Sequence, residues 1–188
     1  MKLLFKPLTM ETWKDFEKLF GEKGACAGCW CMYWLMRRKE YDEKRKDGTT
    51  KPEMKKLVKN GTVPGIIAYD KNDPIGWIAI QPRDKYPVLN NSRILAPVDD
   101  KPVWSIVCFF VHKNYRRKNV SVELIKQAVK FAEKNKAKIV EAYPVEPKTN
   151  KAAPVFIWTG TASAFKKAGF KEVVRRSETR PVMRFEIK

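Results

Sequence analysis

The stretch VWSIVCFFVHKNYRRKNVS, residues 103–121, decides the fold of this chain. Its first part, 103–111, is the most apolar strand candidate in the sequence, and this composition predicts a central strand buried on both faces. Its second part carries the consecutive basic residues Arg116, Arg117 and Lys118. Apolar residues at helical spacing follow, which predicts a helix from about 119 to 135. A buried strand therefore leads through a basic turn into a helix N-terminus.

The basic turn has the chemistry of an anion site. A helix N-terminus presents unpaired backbone N–H groups and about half a positive charge, which suits a pyrophosphate. The three basic side chains of Arg116–Lys118 would strengthen that attraction. The alternative is a solvated turn without a ligand, and the basic composition alone leaves both readings open.

The elements around this unit predict one mixed α/β domain. A strand at 138–142 completes a strand–helix–strand unit over 103–142, as a right-handed parallel crossover requires. Upstream, strands at 65–69 and 75–81 flank turn residues and predict a hairpin. Downstream, a short helix near 161–168 precedes two antiparallel strands. The predicted order is β-α-α-α-β-β-β-α-β-α-β-β.

The N-terminal part is predicted to be mainly helical after a short edge strand at 3–7. A first helix carries Trp13, Phe16 and Phe20 on one face. The sequence Thr50-Lys-Pro-Glu53 has the pattern of a capping box that opens a further helix.

The strand, turn and helix together resemble the central motif of the GNAT superfamily of acyl-CoA-dependent N-acyltransferases. That motif is a strand, then V-x-x-x-Y-R, then an (R/Q)-x-x-G-x-(G/A) turn that opens a helix. Here it reads Val111-His-Lys-Asn-Tyr115-Arg116-Arg-Lys-Asn119-Val-Ser121. A second similarity is TASAFKKAGF, residues 161–170, which resembles the closing helix of the family and its Gly-Phe end.

The resemblance implies a fold, a donor and a reaction. The fold is a GNAT-like mixed, mostly antiparallel central sheet with one parallel βαβ crossover, flanked by helices. It covers residues 1–188 as a single domain, with a Cys/Trp-rich embellishment at about 24–46. The implied function is transfer of an acetyl group from acetyl-CoA, or another acyl-CoA, to a primary amine that attacks the thioester directly. The amine, in a small molecule or a protein, is not identified, and a homodimer is an open alternative.

The resemblance also implies which residues bind coenzyme A. Pantetheine would lie between the strands 103–111 and 138–142, and a strand N–H would polarise the thioester carbonyl. The turn would wrap the pyrophosphate. The implied cofactor-binding residues are Phe109, Phe110, Val111, Arg116, Arg117, Lys118, Asn119, Val120 and Ser121.

Two departures from the family pattern bear on activity. Asn119 stands where the family has its first turn glycine, although asparagine is among the few residues that tolerate a left-handed backbone. Phe165 stands at the position that often holds a general-acid tyrosine, and a phenyl ring cannot protonate a leaving thiolate. These departures keep open a catalytically inactive acyl-CoA-binding or regulatory domain of the same fold.

Candidate catalytic residues are Glu141, as a base acting directly or through a water, and Tyr143, as a substitute acid. A surface glutamate is the alternative for Glu141. Residues 24–36 form a Cys-rich segment, in which Trp30, Tyr33 and Trp34 are expected to line the acceptor pocket. A hydrophobic plug over the sheet explains the same three residues equally well.

The cysteines raise a metal hypothesis that the spacing does not sustain. Cys26, Cys29 and Cys31 have C-x-x-C and C-x-C spacing, but a closed zinc site needs four ligands. Only Cys108, inside the predicted central strand, and His112, at its end, could complete the set. We therefore predict no metal.

The composition narrows the partners and the compartment. The formal net charge is +18, which raises the expectation of a polyanionic partner. The charge is dispersed along the chain and no RNA- or DNA-binding signature accompanies it, so nucleic acid is the minor alternative. The longest uncharged apolar stretch, 105–111, is far below the ~20 residues of a membrane helix. With no signal-peptide pattern and four cysteines, a reducing cytoplasm is expected.

Overall fold

The structure, a computed structural model, describes residues 2–148 and 153–188. Its centre is a seven-stranded sheet with the order β1-β2-β3-β4-β5-β7-β6. Among the described strands β4 and β5 pair in parallel, and the other neighbours pair antiparallel. The strands are β1 Leu3–Pro7, β2 Gly65–Asp70, β3 Asp73–Pro82, β4 Trp104–Val111, β5 Ile139–Ala142, β6 Lys171–Arg175 and β7 Pro181–Glu186.

Helices cover both faces of this sheet, which confirms the predicted fold class. One apolar layer joins the sheet to α1 and the segment 30–36, and the other joins it to α5 and α6. The helices are α1 Trp13–Phe20, α2 Arg38–Lys46, α3 Thr50–Lys59, α4 Pro87–Asn90, α5 Val120–Lys134 and α6 Ala162–Lys167. No helix of the described chain is both long enough and apolar enough to cross a membrane.

The crossover β4–α5–β5 has the predicted form and packs closely on the sheet. Leu124, Ile125 and Ala128 of α5 are fully buried against it. A Cβ atom at Gly76 of β3 would lie only 3.1 Å from Leu124 Cδ1 and 3.2 Å from Val120 Cγ1. The glycine therefore lets the first turn of α5 approach the sheet.

One local prediction is wrong. Thr50 does not cap α3, since the N-cap residue is Thr49, without a side-chain cap bond. The Thr50 hydroxyl instead donates to the Gly28 carbonyl at 2.6 Å, which ties α3 to the Cys-rich segment. Between β3 and β4 the chain forms the short helix α4.

The parallel pairing of β4 with β5 is short, and this opens the site. Trp104–Ile106 pair with Val140–Ala142, and the pairing ends there although β4 continues to Val111. The far half of β4 therefore borders a gap in the sheet.

Candidate functional site

A cavity of about 1020 Å³ begins at this gap. Its lining comes from four parts of the chain: the second half of β4, the turn with the N-terminus of α5, the segment 153–167, and the Cys-rich segment with α2. The cavity thus joins the two regions that the sequence marked for cofactor and acceptor.

The backbone of β4 is only partly available to a ligand. The N–H of Phe109 donates to the Trp158 carbonyl at 2.7 Å, whereas the N–H of His112 donates to Ile75 on β3 at 2.9 Å. Since successive residues of a strand point their backbone groups to opposite sides, the N–H of Val111 faces the gap. The N–H of Val111 is therefore available to a ligand in the gap. The sequence predicted Phe109 as a cofactor-binding residue as well, but its N–H is already hydrogen-bonded to Trp158.

The turn before α5 presents its backbone to the cavity. Asn119 has φ 60° and ψ 12°, the left-handed conformation that glycine would adopt there, and its side chain makes no cap bond. The first N–H groups of α5, at Val120, Ser121 and Val122, have no partner within the helix. All three residues line the cavity. The combination has the geometry that favours anion binding at a helix N-terminus.

Most of the residues predicted to bind the cofactor surround this cavity. The residues in its lining are Phe109, Phe110, Val111, Arg116, Arg117, Asn119, Val120 and Ser121. Lys118 lies outside the lining, with its ammonium 5.3 Å from the ring centre of Tyr115. The Arg116 Nε–H donates to the Val111 carbonyl at 3.1 Å, so this side chain links the turn to the end of β4.

Phe165 is not placed to act on a ligand in the cavity. Its ring is fully buried, 5.7 Å from the ring centre of Phe109 and 5.0 Å from that of Phe170, both edge to face. The ring belongs to the apolar cluster between α6 and the sheet and is not part of the cavity lining.

The structure does not support the expectation that Glu141 and Tyr143 act on a substrate. Both are fully buried and lie outside the cavity lining. The Glu141 carboxylate accepts hydrogen bonds from Arg184 Nε at 2.7 Å, Arg83 at 3.3 Å and the Tyr143 hydroxyl at 2.6 Å. Desolvation and the Glu141 charge raise the pKa of Tyr143. Glu141 and Tyr143 therefore belong to a buried hydrogen-bonded ion network that connects β5 with Arg184 of β7 and with Arg83.

The Cys-rich segment forms a strained wall of the cavity. Ala25, Ala27, Trp30 and Cys31 all have positive φ, between 39° and 65°. The Trp30 indole lies so close over Gly24 that a Cβ there would be 2.3 Å from Trp30 Nε1. Such a conformation persists only where the surroundings hold it, and strain of this kind is typical of functional sites.

Three of the four cysteines line the cavity from this segment, and Cys108 lines it from β4. Burial raises the pKa of Cys29 to about 12 and also raises that of Cys31. Among residues 2–148 and 153–188, no group of three or more His, Cys, Asp or Glu side chains is placed to hold a metal ion.

The aromatic residues of the segment divide between cavity and core. Tyr33 and Trp34 line the cavity, whereas Trp30 is outside its lining and stacks on Phe20 at 5.6 Å. Tyr33 packs edge to face on Trp34 and also on Trp158, at ring distances of 5.1 and 5.2 Å. Trp158 is a lining residue that sequence reasoning missed, because it lies in an irregular loop without a motif.

Comparison with known proteins agrees with this geometry. A model of the acetyltransferase (GNAT) family matches residues 27–157. The chain belongs to the GNAT family. Members of this family take their acetyl group from acetyl-CoA. None of the curated proteins matches this GNAT chain.

Solved structures share the GNAT fold at low sequence identity. The PaiA N-acetyltransferase from Thermoplasma acidophilum in complex with coenzyme A is 12% identical, with a TM-score of 0.55 and 100% of both chains covered. The aminoglycoside acetyltransferase AAC(6')-Ib in complex with coenzyme A and kanamycin is 16% identical, with a TM-score of 0.56, covering 98% of this chain and 95% of the other. The NatC complex bound to Gag peptide and CoA is 14% identical, with a TM-score of 0.54 and full coverage of both chains. These similarities support the fold alone.

Proposed function

We propose that this protein transfers an acetyl group from acetyl-CoA to an amine that attacks the thioester directly. One observation carries the proposal: β4 leaves β5 after Ile106 and leads, within one cavity, to the uncapped N-terminus of α5. A gap beside a strand and an anion site at a helix N-terminus are the two features that pantetheine and pyrophosphate require.

The residues of the cavity fit coenzyme A chemically. Val111 would hold pantetheine through its gap-facing backbone. The N–H groups of Val120, Ser121 and Val122, with Arg116 and Arg117, would hold the pyrophosphate. The volume of about 1020 Å³ reaches the upper end of the roughly 300–1000 Å³ that is typical of small-molecule sites. The cavity therefore has room for an acceptor beside the donor.

An amine bound in the cavity can lose its proton without a general-base residue. Its only acidic lining residue in the described chain is Asp42, which is held by Arg38 at 2.8 Å. The net positive charge that Arg38 and Arg45 leave after pairing with Asp42 disfavours an ammonium ion and so lowers the pKa of an amine bound beside them. The amine is then neutral and nucleophilic at a lower pH than in water.

An acyl-CoA-binding domain without catalytic activity is the second candidate function. The positions of Glu141, Tyr143 and Phe165 outside the cavity favour it, because no candidate acid or base from the sequence faces a ligand there. Both candidates require coenzyme A to bind, and only the first requires turnover.

Calorimetric titration with acetyl-CoA, and with ATP as an anion control, tests what both candidates share. We expect micromolar binding of acetyl-CoA and much weaker binding of ATP. Arg116→Glu should weaken acetyl-CoA binding at least tenfold, whereas Arg93→Glu, the same charge reversal at an exposed residue outside the cavity lining, should not. Equal binding of ATP, or unchanged affinity in Arg116→Glu, would remove the turn from the donor site.

Release of free coenzyme A in the presence of a panel of amines then separates the two candidates. Amine-dependent release supports the transferase. Tight binding without release for any amine supports the non-catalytic domain.

A further inference from the structure

One face of α2 turns charged side chains toward the cavity. Arg38, Tyr41, Asp42 and Arg45 occupy positions i, i+3, i+4 and i+7, which places them on one side of the helix. All four line the cavity. The sequence reads here as a charge-dense run, and the fold directs part of that charge inward.

The positive charge on this face exceeds the negative charge. The Asp42 carboxylate is already paired with Arg38 Nε at 2.8 Å. Arg45 has no acidic side chain within salt-bridge distance in the described parts of the chain. One guanidinium group therefore borders the cavity without a countercharge.

The two guanidinium groups lie on the same helix face as Tyr41. Arg38 precedes Tyr41 by three residues and Arg45 follows it by four, and all three side chains line the cavity. The charges of Arg45 and Arg38 also oppose the rise in the pKa of the Tyr41 hydroxyl that burial causes. An anionic group that enters the cavity beside Tyr41 is therefore attracted by both cations.

These cations are separate from those of the basic turn. The Arg38 guanidinium lies 5.3 Å from the ring centre of Tyr33, which packs on Trp158. Trp158 in turn holds the N–H of Phe109, two residues before the end of β4. The turn supplies its own cations, Arg116 and Arg117, from a different element. The α2 face therefore borders the aromatic part of the cavity, where an acceptor has room.

We propose that Arg45 and Arg38 bind a carboxylate of the acceptor, so that the acceptor is an amine that also carries a carboxylate, such as a free amino acid or a short peptide. Arginine suits this role because its planar fork of donors matches the two oxygens of a carboxylate. This inference rests on the proposed acetyl transfer and names the substrate class of the same cavity.

The first test compares amines that differ only in the carboxylate. Acetylation by the full-length protein is measured by mass spectrometry with the common L-amino acids and with their carboxamides. We expect amino acids to be acetylated, with kcat/KM at least tenfold higher than for the matching amides. Equal or faster acetylation of the amides, or acetylation only of amines that carry no carboxylate, would overturn the proposal.

The second test decides whether Arg45 binds a carboxylate of the acceptor or a phosphate of acetyl-CoA. Arg45→Gln should raise the KM for the preferred amino acid at least tenfold and leave the Kd for acetyl-CoA within twofold. Arg45→Lys keeps the charge but not the fork of donors, so it should restore only part of the affinity. Lys46→Gln is the matched control, because Lys46 is the exposed neighbour outside the cavity lining. Weaker acetyl-CoA binding in Arg45→Gln with an unchanged KM would assign the subsite to a phosphate of the donor and overturn the proposal.

The proposed carboxylate subsite can be tested independently of the proposed acetyl transfer. If acetyl-CoA does not bind, or binds without being used with any amine, the proposed function is wrong, and calorimetry with the amino acids and their amides alone decides the subsite. Tighter binding of amino acids that disappears in Arg45→Gln supports it. Equal binding of acids and amides overturns it.

Discussion

The thiol of Cys31 lies 3.0 Å from the sulfur of Cys108, and this contact joins the Cys-rich segment to β4 across 77 residues of sequence. Cys31 also accepts a hydrogen bond from the Trp77 indole N–H at 3.0 Å. All three side chains are buried. The contact explains how a segment with four positive φ values among its non-glycine residues keeps one position beside the cavity.

Removing the Cys31 sulfur should destabilise the protein. In Cys31→Ala the buried N–H of Trp77 loses its acceptor, a loss that costs about 1–3 kcal/mol. Cys31→Ser keeps an acceptor and should lose less than half as much. Urea unfolding measures both changes. Cys26→Ala, at an exposed cysteine, is the control and should unfold like the wild type. Equal stability of Cys31→Ala and Cys26→Ala would contradict a structural role for the contact.

The half-buried Cys29 and the buried Cys31 and Cys108 should react slowly with thiol reagents near neutral pH. The thiolate is the reactive form of cysteine, and a pKa of about 12 leaves Cys29 only about one part in 10⁴ ionised at pH 8. A disulfide reagent at pH 8 should therefore modify Cys26 first. The rate at Cys29 should rise about tenfold for each pH unit between 8 and 11, as long as the fold persists.

Mass mapping of the modified cysteines checks this prediction. Cys26→Ser should remove the fast modification that we assign to Cys26. In the wild-type protein, unfolding in urea should expose all four thiols. Fast modification of Cys29 in the native protein at pH 8 would contradict the raised pKa and would point to a reactive thiol at this position.

Glu141 should prove to be a structural residue. Glu141→Gln removes the charge that two buried guanidinium groups, of Arg83 and Arg184, share. Breaking a buried ion pair by removing one partner costs roughly 3–5 kcal/mol. We expect a loss of that size in urea unfolding, with acetyl-CoA affinity in the folded variant unchanged.

Glu133→Gln, at an exposed glutamate of α5, is the control for the change of charge. If Glu141→Gln were as stable as the wild type but lost acetyl transfer, the original expectation of a catalytic base would be restored.

Regular elements could be predicted from the sequence because their signals are local. The apolar run of β4 and the periodic stripe of α5 depend on neighbouring residues, and both elements appear within two residues of the predicted bounds. Glu141 has no such signal. Its partners Arg83 and Arg184 lie 58 and 43 residues away, so its burial depends on how the sheet assembles.

The site shows the same division. The turn could be located because its basic residues are contiguous, whereas three other features depend on distant contacts. The Phe109 N–H is occupied by Trp158, and the Thr50 hydroxyl by Gly28. The inward face of α2 reads as an exposed charge run until the cavity is known.

Asn119 offers the sharpest test of the turn, because its left-handed backbone conformation favours glycine whereas this position carries a side chain. With φ at 60°, a side chain without local hydrogen bonding is strained, so Asn119→Ala should lose about 1 kcal/mol in urea unfolding. Asn119→Gly should be at least as stable as Asn119→Ala and should bind acetyl-CoA as tightly as the wild type or more tightly, since it also clears the approach to the first N–H groups of α5. Asn114→Gly, in the same loop at a residue without positive φ, is the control and should gain no affinity. Weaker acetyl-CoA binding in Asn119→Gly would mean that the asparagine amide itself contacts the donor, in which case the departure from the family glycine is a binding residue of this protein.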